Sequence, residues 1–153
     1  MVKSYKGVSA VKVKGPVMQA VRVEDYMTRK LITFHPDQPM EQVIRTLISK
    51  GISGGPVVDD HHRLVGVISE GDCLKEVARG KYNNTPNHAG RVAEHMTRDV
   101  YTIRPEMNIF EVANMFLDVK LRRFPVVKDG KLLGQISQRD VMRAFDMLKD
   151  ATW

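Results

Sequence analysis

The sequence has few of the features that would place it in a membrane, outside the cell or around a metal ion. Its single cysteine, Cys73, cannot form an internal disulfide, and no cysteine–histidine spacing is typical of a zinc site. No apolar run approaches the ~18 residues of a membrane-spanning helix, and nothing near Met1 resembles a secretory signal peptide. We therefore expect a cytoplasmic protein that requires no metal and does not bind membranes.

Acidic residues are absent from the first 22 positions, which carry five of the 24 basic residues. The rest of the chain holds 19 basic and 18 acidic residues, so the net charge of +6 comes almost entirely from this N-terminal arm. A nearly neutral body argues against a broad nucleic-acid-binding face. The run Val11–Lys14 alternates like a strand, and four interpretations of the arm stay open: pairing with a second chain, docking on the body, binding an acidic partner, or a flexible tail.

The body of the chain contains an internal repeat at an offset of 69 residues. Ten of the 36 residues from 23 to 58 are identical in the second copy, including Met-Thr-Arg near the start and Pro-Val-Val at the end. The second copy then lacks one residue in a predicted turn. The match resumes with Gly-x-Ile-Ser-x-x-Asp at 66–72 and 134–140. Surface turns tolerate such deletions, so the chain holds two copies of one structural unit.

Each copy predicts the same order of elements. A short strand (31–34 or 100–103) is followed by a helix whose apolar residues recur at i, i+3, i+4, i+7 and i+8 from Met40 or Ile109. Two strands joined by a turn come next, and a last helix starts near Asp72 or Asp140. The expected fold class is therefore α+β, with two β-α-β-β-α repeats.

A single unit near 60 residues buries only ~60% of its surface, so the two copies are expected to cover one another. The polar, turn-rich segment around residues 81–91 predicts a linker. The expected organisation is a basic arm over 1–22, a first repeat over 23–80, the linker over 81–91 and a second repeat over 92–150.

These motifs, in this order and twice over, resemble a tandem pair of cystathionine-β-synthase-type domains, the CBS pair or Bateman module, from residue 23 to about 148. The resemblance implies two repeats packed about a pseudo-twofold axis. It implies a regulatory sensor rather than an enzyme, binding an adenine nucleotide (AMP, ADP or ATP, with S-adenosylmethionine or NAD as further candidates) between the copies. It also implies a homodimer in which ligand binding favours one arrangement of the copies. An effector protein that responds to this change is possible, and its identity is not in the sequence.

The family pattern draws residues from both copies into each of two nucleotide-binding pockets. The serine and aspartate of Ser-x-x-Asp stand where a strand turns into a helix, so the carboxylate can accept from ribose hydroxyls and the backbone amides can meet a phosphate. In these pockets Ile52 and Leu121 would cover an adenine face. The first pocket would contain Thr28, Thr33, Ile52, Ser53, Ser137, Arg139 and Asp140. The second would contain Ser69, Asp72, Thr97, Thr102, Leu121 and Arg122.

Two alternatives remain open. Ser-x-x-Asp at a helix start is also the pattern of an N-terminal cap, although its repeated context favours nucleotide binding. The alternative function is a nucleic-acid- or protein-binding dimer that uses the basic arm and leaves the pockets empty. A catalytic role is weaker, since no nucleophile–base pair is evident. Between the two pockets, the less bulky wall at Gly54-Gly55 favours occupation of the one that contains Asp140.

Overall fold

Two repeats of helices and strands follow one another along the chain, which confirms the expected α+β class. The structure is a computed structural model and describes residues 3–4, 21–82 and 90–152. Beyond the predicted order it contains two helices of one turn each, α1 and α4, and a short N-terminal strand. In chain order the elements are β1 (Lys3–Ser4), α1 (Val23–Tyr26), α2 (Met40–Lys50), β2 (Gly54–Val58), β3 (Leu64–Ser69), α3 (Glu70–Tyr82), α4 (Val92–His95), β4 (Tyr101–Thr102), α5 (Ile109–Val119), β5 (Arg123–Lys128), β6 (Lys131–Ser137) and α6 (Gln138–Thr152).

An antiparallel hairpin forms the centre of each repeat, with β2 paired to β3 and β5 paired to β6. Buried and more exposed residues alternate along β3 and β6, as expected for strands with one face on a core. Each hairpin is extended by one parallel bridge, between Phe34 and Val57 or between Ile103 and Val126. The predicted strand at 31–34 is reduced to its bridge, whereas β4 is a strand because β1 pairs with it.

The amphipathic helices α2 and α5 lie where the sequence predicts them. Their apolar stripe is narrower than predicted, since Ile48 and Leu117 are both 77% exposed. At about 100° per residue, Ile48 lies about 80° around the helix from the buried Met40, at the edge of the stripe. Each helix ends in a left-handed residue, Gly51 (φ 62) after α2 and Lys120 (φ 54) at the equivalent position after α5.

The last helix of each repeat begins two residues earlier than predicted, at Glu70 and Gln138. The serine of Ser-x-x-Asp, rather than the aspartate, therefore directly precedes the first turn. Helix α3 also continues to Tyr82, into the predicted linker. Residues 83–89 of that linker lie outside the described residues, and the domain boundaries stay a prediction.

Two parts of the N-terminal arm contact the second repeat. Strand β1 pairs in parallel with β4. Val21 is only 2% exposed, and its carbonyl oxygen accepts a hydrogen bond from the amide of Ile109 at 3.1 Å. These contacts agree with the docking interpretation of the arm. The predicted strand at Val11–Lys14 lies outside the described residues, so the role of that segment stays a prediction.

The compact units of the fold do not coincide with the repeats in the sequence. The two repeats exchange their one-turn helices, so that α1 of the first repeat packs in the second unit and α4 of the second repeat packs in the first unit. The amide of Val23 in α1 donates to the carbonyl oxygen of Met107 (2.9 Å), in the second repeat. The amide of Val92 in α4 donates to the carbonyl oxygen of Gln38 (2.9 Å), in the first repeat. The first unit is therefore Ile32–Val100, and the second unit consists of the described residues of Lys3–Leu31 and Tyr101–Trp153.

The exchange explains two of the repeated motifs, Met-Thr and Gly-x-Ile-Ser. In the second unit, a Cβ added to Gly134 would lie 2.7 Å from the carbonyl oxygen of Thr28 and 2.9 Å from Sδ of Met27. In the first unit, a Cβ added to Gly66 would lie 2.8 Å from Sδ of Met96. Only glycine leaves room for this approach, so the methionine of one repeat packs on the glycine of the other.

Candidate functional site

In the first unit, Ser69 and Asp72 form a reciprocal cap at the start of α3. The Oδ2 atom of Asp72 accepts from the Ser69 amide at 2.9 Å and from the Ser69 hydroxyl at 3.0 Å. The Ser69 hydroxyl oxygen accepts in turn from the Asp72 amide at 3.4 Å. This is a capping box. It uses one carboxylate oxygen of Asp72, and among the described residues no hydrogen bond or ion pair involves the other, Oδ1.

The second unit repeats the cap at the start of α6 and adds a third residue. The Oδ2 atom of Asp140 accepts from the Ser137 amide at 2.9 Å, and the Ser137 hydroxyl oxygen accepts from the Asp140 amide at 3.1 Å. The Oδ1 atom of Asp140 accepts from Nη2 of Arg143. The Asp140 side chain is 3% exposed and that of Arg143 is 65% exposed. Both oxygens of this carboxylate therefore have partners.

The residue that precedes each hairpin lies beside the same helix start. The Glu70 amide donates to the carbonyl oxygen of Ser53 at 2.9 Å, and the Gln138 amide donates to that of Arg122 at 3.1 Å. The Gln138 side chain also donates to the carbonyl oxygen of Leu121 at 3.0 Å. In each unit, a predicted binding residue before the hairpin thus lies next to the cap of its own repeat.

The threonine of each Met-Thr motif lies beside the last strand of the unit that it joins. Thr97 and Val67 exchange two backbone hydrogen bonds of 2.9 Å. Thr28 and Gln135 exchange bonds of 2.8 and 2.9 Å. The first unit contains Thr33, Ile52, Ser53, Ser69, Asp72 and Thr97 of the predicted site residues, and the second contains Thr28, Thr102, Leu121, Arg122, Ser137, Arg139 and Asp140.

The two helix starts differ in charge. In the second unit, the exposed Arg139 lies two residues after Ser137, and the carbonyl oxygen of the exposed Arg122 accepts from the Gln138 amide at the helix start. The repeat places Ser53 and Gly71 at those positions in the first unit. Guanidinium groups bind phosphate oxygens in bidentate geometry, so the second unit offers the more favourable surface for a phosphate.

A second polar cluster lies in the first unit, between α3 and α4. The Glu76 side chain is 6% exposed, and its Oε1 atom lies 3.1 Å from Nδ1 of His95 and 3.2 Å from Nη1 of Arg79. Both distances are within the range of an ion pair, but neither contact has the geometry of a hydrogen bond. In the second unit the equivalent positions hold Ala144, which is fully buried, and Tyr26, which packs against the same core cluster.

Sequence reasoning missed both Arg143 and the Glu76–His95 pair. Arg143 stands at i+3 from Asp140, a spacing that brings opposite charges together on a helix, so its signal was available. Glu76 and His95 belong to different repeats, and no local pattern links them.

Cysteine and histidine side chains with potential chemistry also lie outside these helix starts. Cys73 is buried, and burial, followed by the charges of Asp72 and Glu70, raises the pKa of its thiol. A thiol in that state is a poor nucleophile. His61 and His62 are exposed in the hairpin turn. Within the described part of the chain, no group of three or more metal-binding side chains converges.

Residues 23–79 and 92–146 match the family model of the CBS domain. The chain is 30% identical over 156 residues to the chloroplastic CBS domain-containing protein CBSX2 of Arabidopsis thaliana. The crystal structure of CBSX2 in complex with AMP gives a TM-score of 0.74 at 32% identity, covering 85% of this chain and 99% of that one. The CBS domain pair of protein MJ0100 was solved in complex with 5′-methylthioadenosine and S-adenosyl-L-methionine. Its crystal structure gives a TM-score of 0.67 at 28% identity, covering 84% of this chain and 98% of that one.

The similarity covers part of several relatives. The chain spans 66% of the length of CBSX2 and 41% of the uncharacterized protein MJ1225 of Methanocaldococcus jannaschii. Some matching proteins are enzymes that carry CBS domains. In residues 21–82 and 90–152, no helix is long and apolar enough to cross a membrane. Because CBSX2 is chloroplastic, the cytoplasmic location expected for this chain stays a prediction.

Proposed function

Because the chain belongs to the CBS-domain family, we propose that it binds an adenine nucleotide at its Ser-x-x-Asp helix starts and acts as a regulatory sensor, not an enzyme. The proposed ligands are AMP, ADP and ATP, and S-adenosylmethionine and NAD carry the same adenosine group. CBSX2 was solved with AMP and MJ0100 with two other adenosine derivatives, which supports this ligand class.

The observation that carries the proposal is the reciprocal cap found in both units. One carboxylate oxygen of each aspartate is fixed by the backbone at a helix start. A fixed, charged acceptor is suited to the pair of hydroxyls of a ribose, because hydrogen bonds to charged groups contribute about 1.5–3 kcal/mol. The capping box alone does not require a carboxylate, since the side-chain oxygen of asparagine can also accept a hydrogen bond from the serine amide.

We assign the remaining predicted residues by their chemistry. The apolar side chains of Ile52 and Leu121 would contact the faces of adenine. The exposed guanidinium groups of Arg122 and Arg139 would bind phosphate, together with backbone amides at the helix starts. The predicted threonines Thr28, Thr33, Thr97 and Thr102, and Ser53, would complete the polar surface through hydroxyl and backbone groups.

The test is substitution of each aspartate by asparagine, followed by calorimetric titration with AMP. Asp72→Asn and Asp140→Asn keep a side-chain oxygen that can accept from the serine amide, and they remove the charge. Each should weaken binding at its own site by roughly 10- to 100-fold, since each tenfold is ~1.4 kcal/mol. Asp129→Asn, in an exposed hairpin turn, is the control and should leave both sites unchanged. Unaltered AMP affinity in both substituted proteins would make the aspartates caps only.

Base specificity provides a second, independent test. A ligand that binds only the folded state raises the melting temperature by mass action. AMP, ADP or ATP at millimolar concentration should therefore raise it, and the matching guanine nucleotides should do so less. The proposal fails if no adenosine compound changes the melting temperature.

For assembly we propose a homodimer formed through the last helices. In α6, Met142 and Phe145 are 63% and 60% exposed, and Val141 lies beside them. With Phe110 of α5 they border an apolar groove of about 450 Å³ in the second unit. Light scattering should show a dimer at micromolar concentration, and Phe145→Glu should yield a monomer that keeps its circular dichroism spectrum. A monomeric wild-type protein would contradict the proposal.

A further inference from the structure

The two caps differ at one contact, which the residue three positions after each aspartate determines. Arg143 binds Oδ1 of Asp140, the oxygen that the cap leaves unused. The equivalent residue of the first repeat is Lys75. Among the described residues, Lys75 makes no ion pair with Asp72, and its side chain is exposed.

This difference affects the chemistry that the proposed function requires. A ribose diol donates two hydrogen bonds, and a carboxylate accepts both most readily when its outer oxygen has no other partner. At Asp72 that oxygen is available. At Asp140 the guanidinium of Arg143 already occupies it, so a diol and Arg143 compete for the same lone pairs.

We infer that Arg143 is a positioning residue that competes with the ligand for Asp140. It holds the carboxylate in the empty protein, and it moves to solvent when adenosine binds. Its 65% exposed side chain has room for that movement. The inference rests on the proposed function and deepens it. It gives the two ribose sites different affinities for adenosine, and the difference comes from Arg143 and Lys75, which do not contact the ligand.

The experiment isolates one site at a time and uses adenosine, whose lack of phosphate removes any direct attraction to residue 143. In an Asp72→Asn background only the Asp140 site binds adenosine tightly. Adding Arg143→Ala there should tighten adenosine binding by about two- to fivefold, the range of an ion pair with one exposed partner. The reciprocal change, Lys75→Arg in an Asp140→Asn background, should weaken adenosine binding by a similar factor.

The matched control is Arg143→Ala in the Asp140→Asn background, where it should leave adenosine affinity unchanged. If Arg143→Ala reduces folding, Arg143→Lys, which copies the first repeat, serves as the second variant. A purely structural role for Arg143 would lower the melting temperature without tightening binding.

The outcomes separate the two claims. Wild-type protein that binds adenosine or AMP, with affinity at the Asp140 site unchanged or weakened by Arg143→Ala and Arg143→Lys, overturns the role of Arg143 alone. Wild-type protein that binds neither compound overturns the proposed function and this inference with it. Tighter binding in the Asp72→Asn background and weaker binding with Lys75→Arg support both.

Discussion

The first and second units place different chemistry at the same point of the same fold. Where the exchanged helix meets the last helix, the first unit has Glu76 and His95, and the second has Ala144 and Tyr26. A polar pair, Glu76 with His95, and a pair of a small and an aromatic residue, Ala144 with Tyr26, thus serve one packing position. The comparison teaches that α1 and α4 can each pack in the unit of the other repeat without sharing the same side chains at their contact with the last helix.

The apolar cores of the two units also differ in composition. Among the described residues, the buried cluster of the second unit has twelve members and that of the first has nine. The larger cluster includes an aromatic pair, Phe116 and Phe124, with ring centroids 4.5 Å apart. Apolar burial stabilises by about 25 cal/mol per Å², whereas a buried ion pair must offset its own desolvation. At this contact the second unit therefore buries Ala144, whereas the first buries the carboxyl group of Glu76.

The largest expected effect tests what the units share. Gly134→Ala and Gly66→Ala should each lower the free energy of unfolding by about 2–3 kcal/mol. The new Cβ would lie 2.7 or 2.8 Å from the backbone carbonyl oxygen of Thr28 or Thr97, which is held by a hydrogen bond from the adjacent strand and cannot withdraw. Urea denaturation of each variant measures this. Gly71→Ala is the control, since its Cβ would meet only the Ser69 hydroxyl oxygen at 3.6 Å. If either unit tolerated its alanine, the packing of methionine on glycine would not be common to both.

A smaller effect is expected where the units differ. Glu76→Ala alone should lower the free energy of unfolding by about 1–2 kcal/mol, because the contact between the buried Glu76 side chain and His95 is lost. Glu76→Ala combined with His95→Tyr copies the second unit and should recover that loss, since apolar replacements of buried ion pairs are often neutral or stabilising. A double variant less stable than Glu76→Ala would show that the contact cannot be exchanged between the units.

The smallest effect concerns the helix ends at Gly51 and Lys120. Lys120→Gly should raise the free energy of unfolding by roughly 0.5–1 kcal/mol, because only glycine adopts the left-handed conformation without a steric penalty. Gly51→Lys should lower it by a similar amount. Thermal denaturation of the two variants measures both changes, and equal signs would mean that the two helix ends are not equivalent.

Local features of the fold could be predicted from the sequence. The helices from Met40 and Ile109, the left-handed Gly51 and the two hairpins follow from periodicity and turn chemistry, which act over a few residues. The helix starts were placed two residues late because Ser-x-x-Asp permits either residue to begin the helix, and the reciprocal hydrogen bonds decide for serine.

Non-local features could not be predicted in the same way. Val23 is apolar and can be expected to be buried, but nothing in its sequence indicates which of the two repeats provides the core in which it is buried. The ion pair of Glu76 and His95 depends on that same choice. At the candidate site, the pairing of Arg143 with Asp140 was visible at i+3, whereas the lack of an equivalent contact at Asp72 depends on where the Lys75 side chain lies.

The exchange of α1 and α4 also sets an order in time during synthesis on the ribosome. The first unit ends at Val100, so all its residues are available once that residue has emerged. The second unit needs α1, which is made before the first unit, and α6, which is made after it. Its closing contact, Val23 to Met107, spans 84 residues against 54 for Val92 to Gln38, a difference worth only ~0.4 kcal/mol in loop entropy. The newly made α1 must therefore wait, with its apolar side chains uncovered, until residues C-terminal to the first unit have been translated.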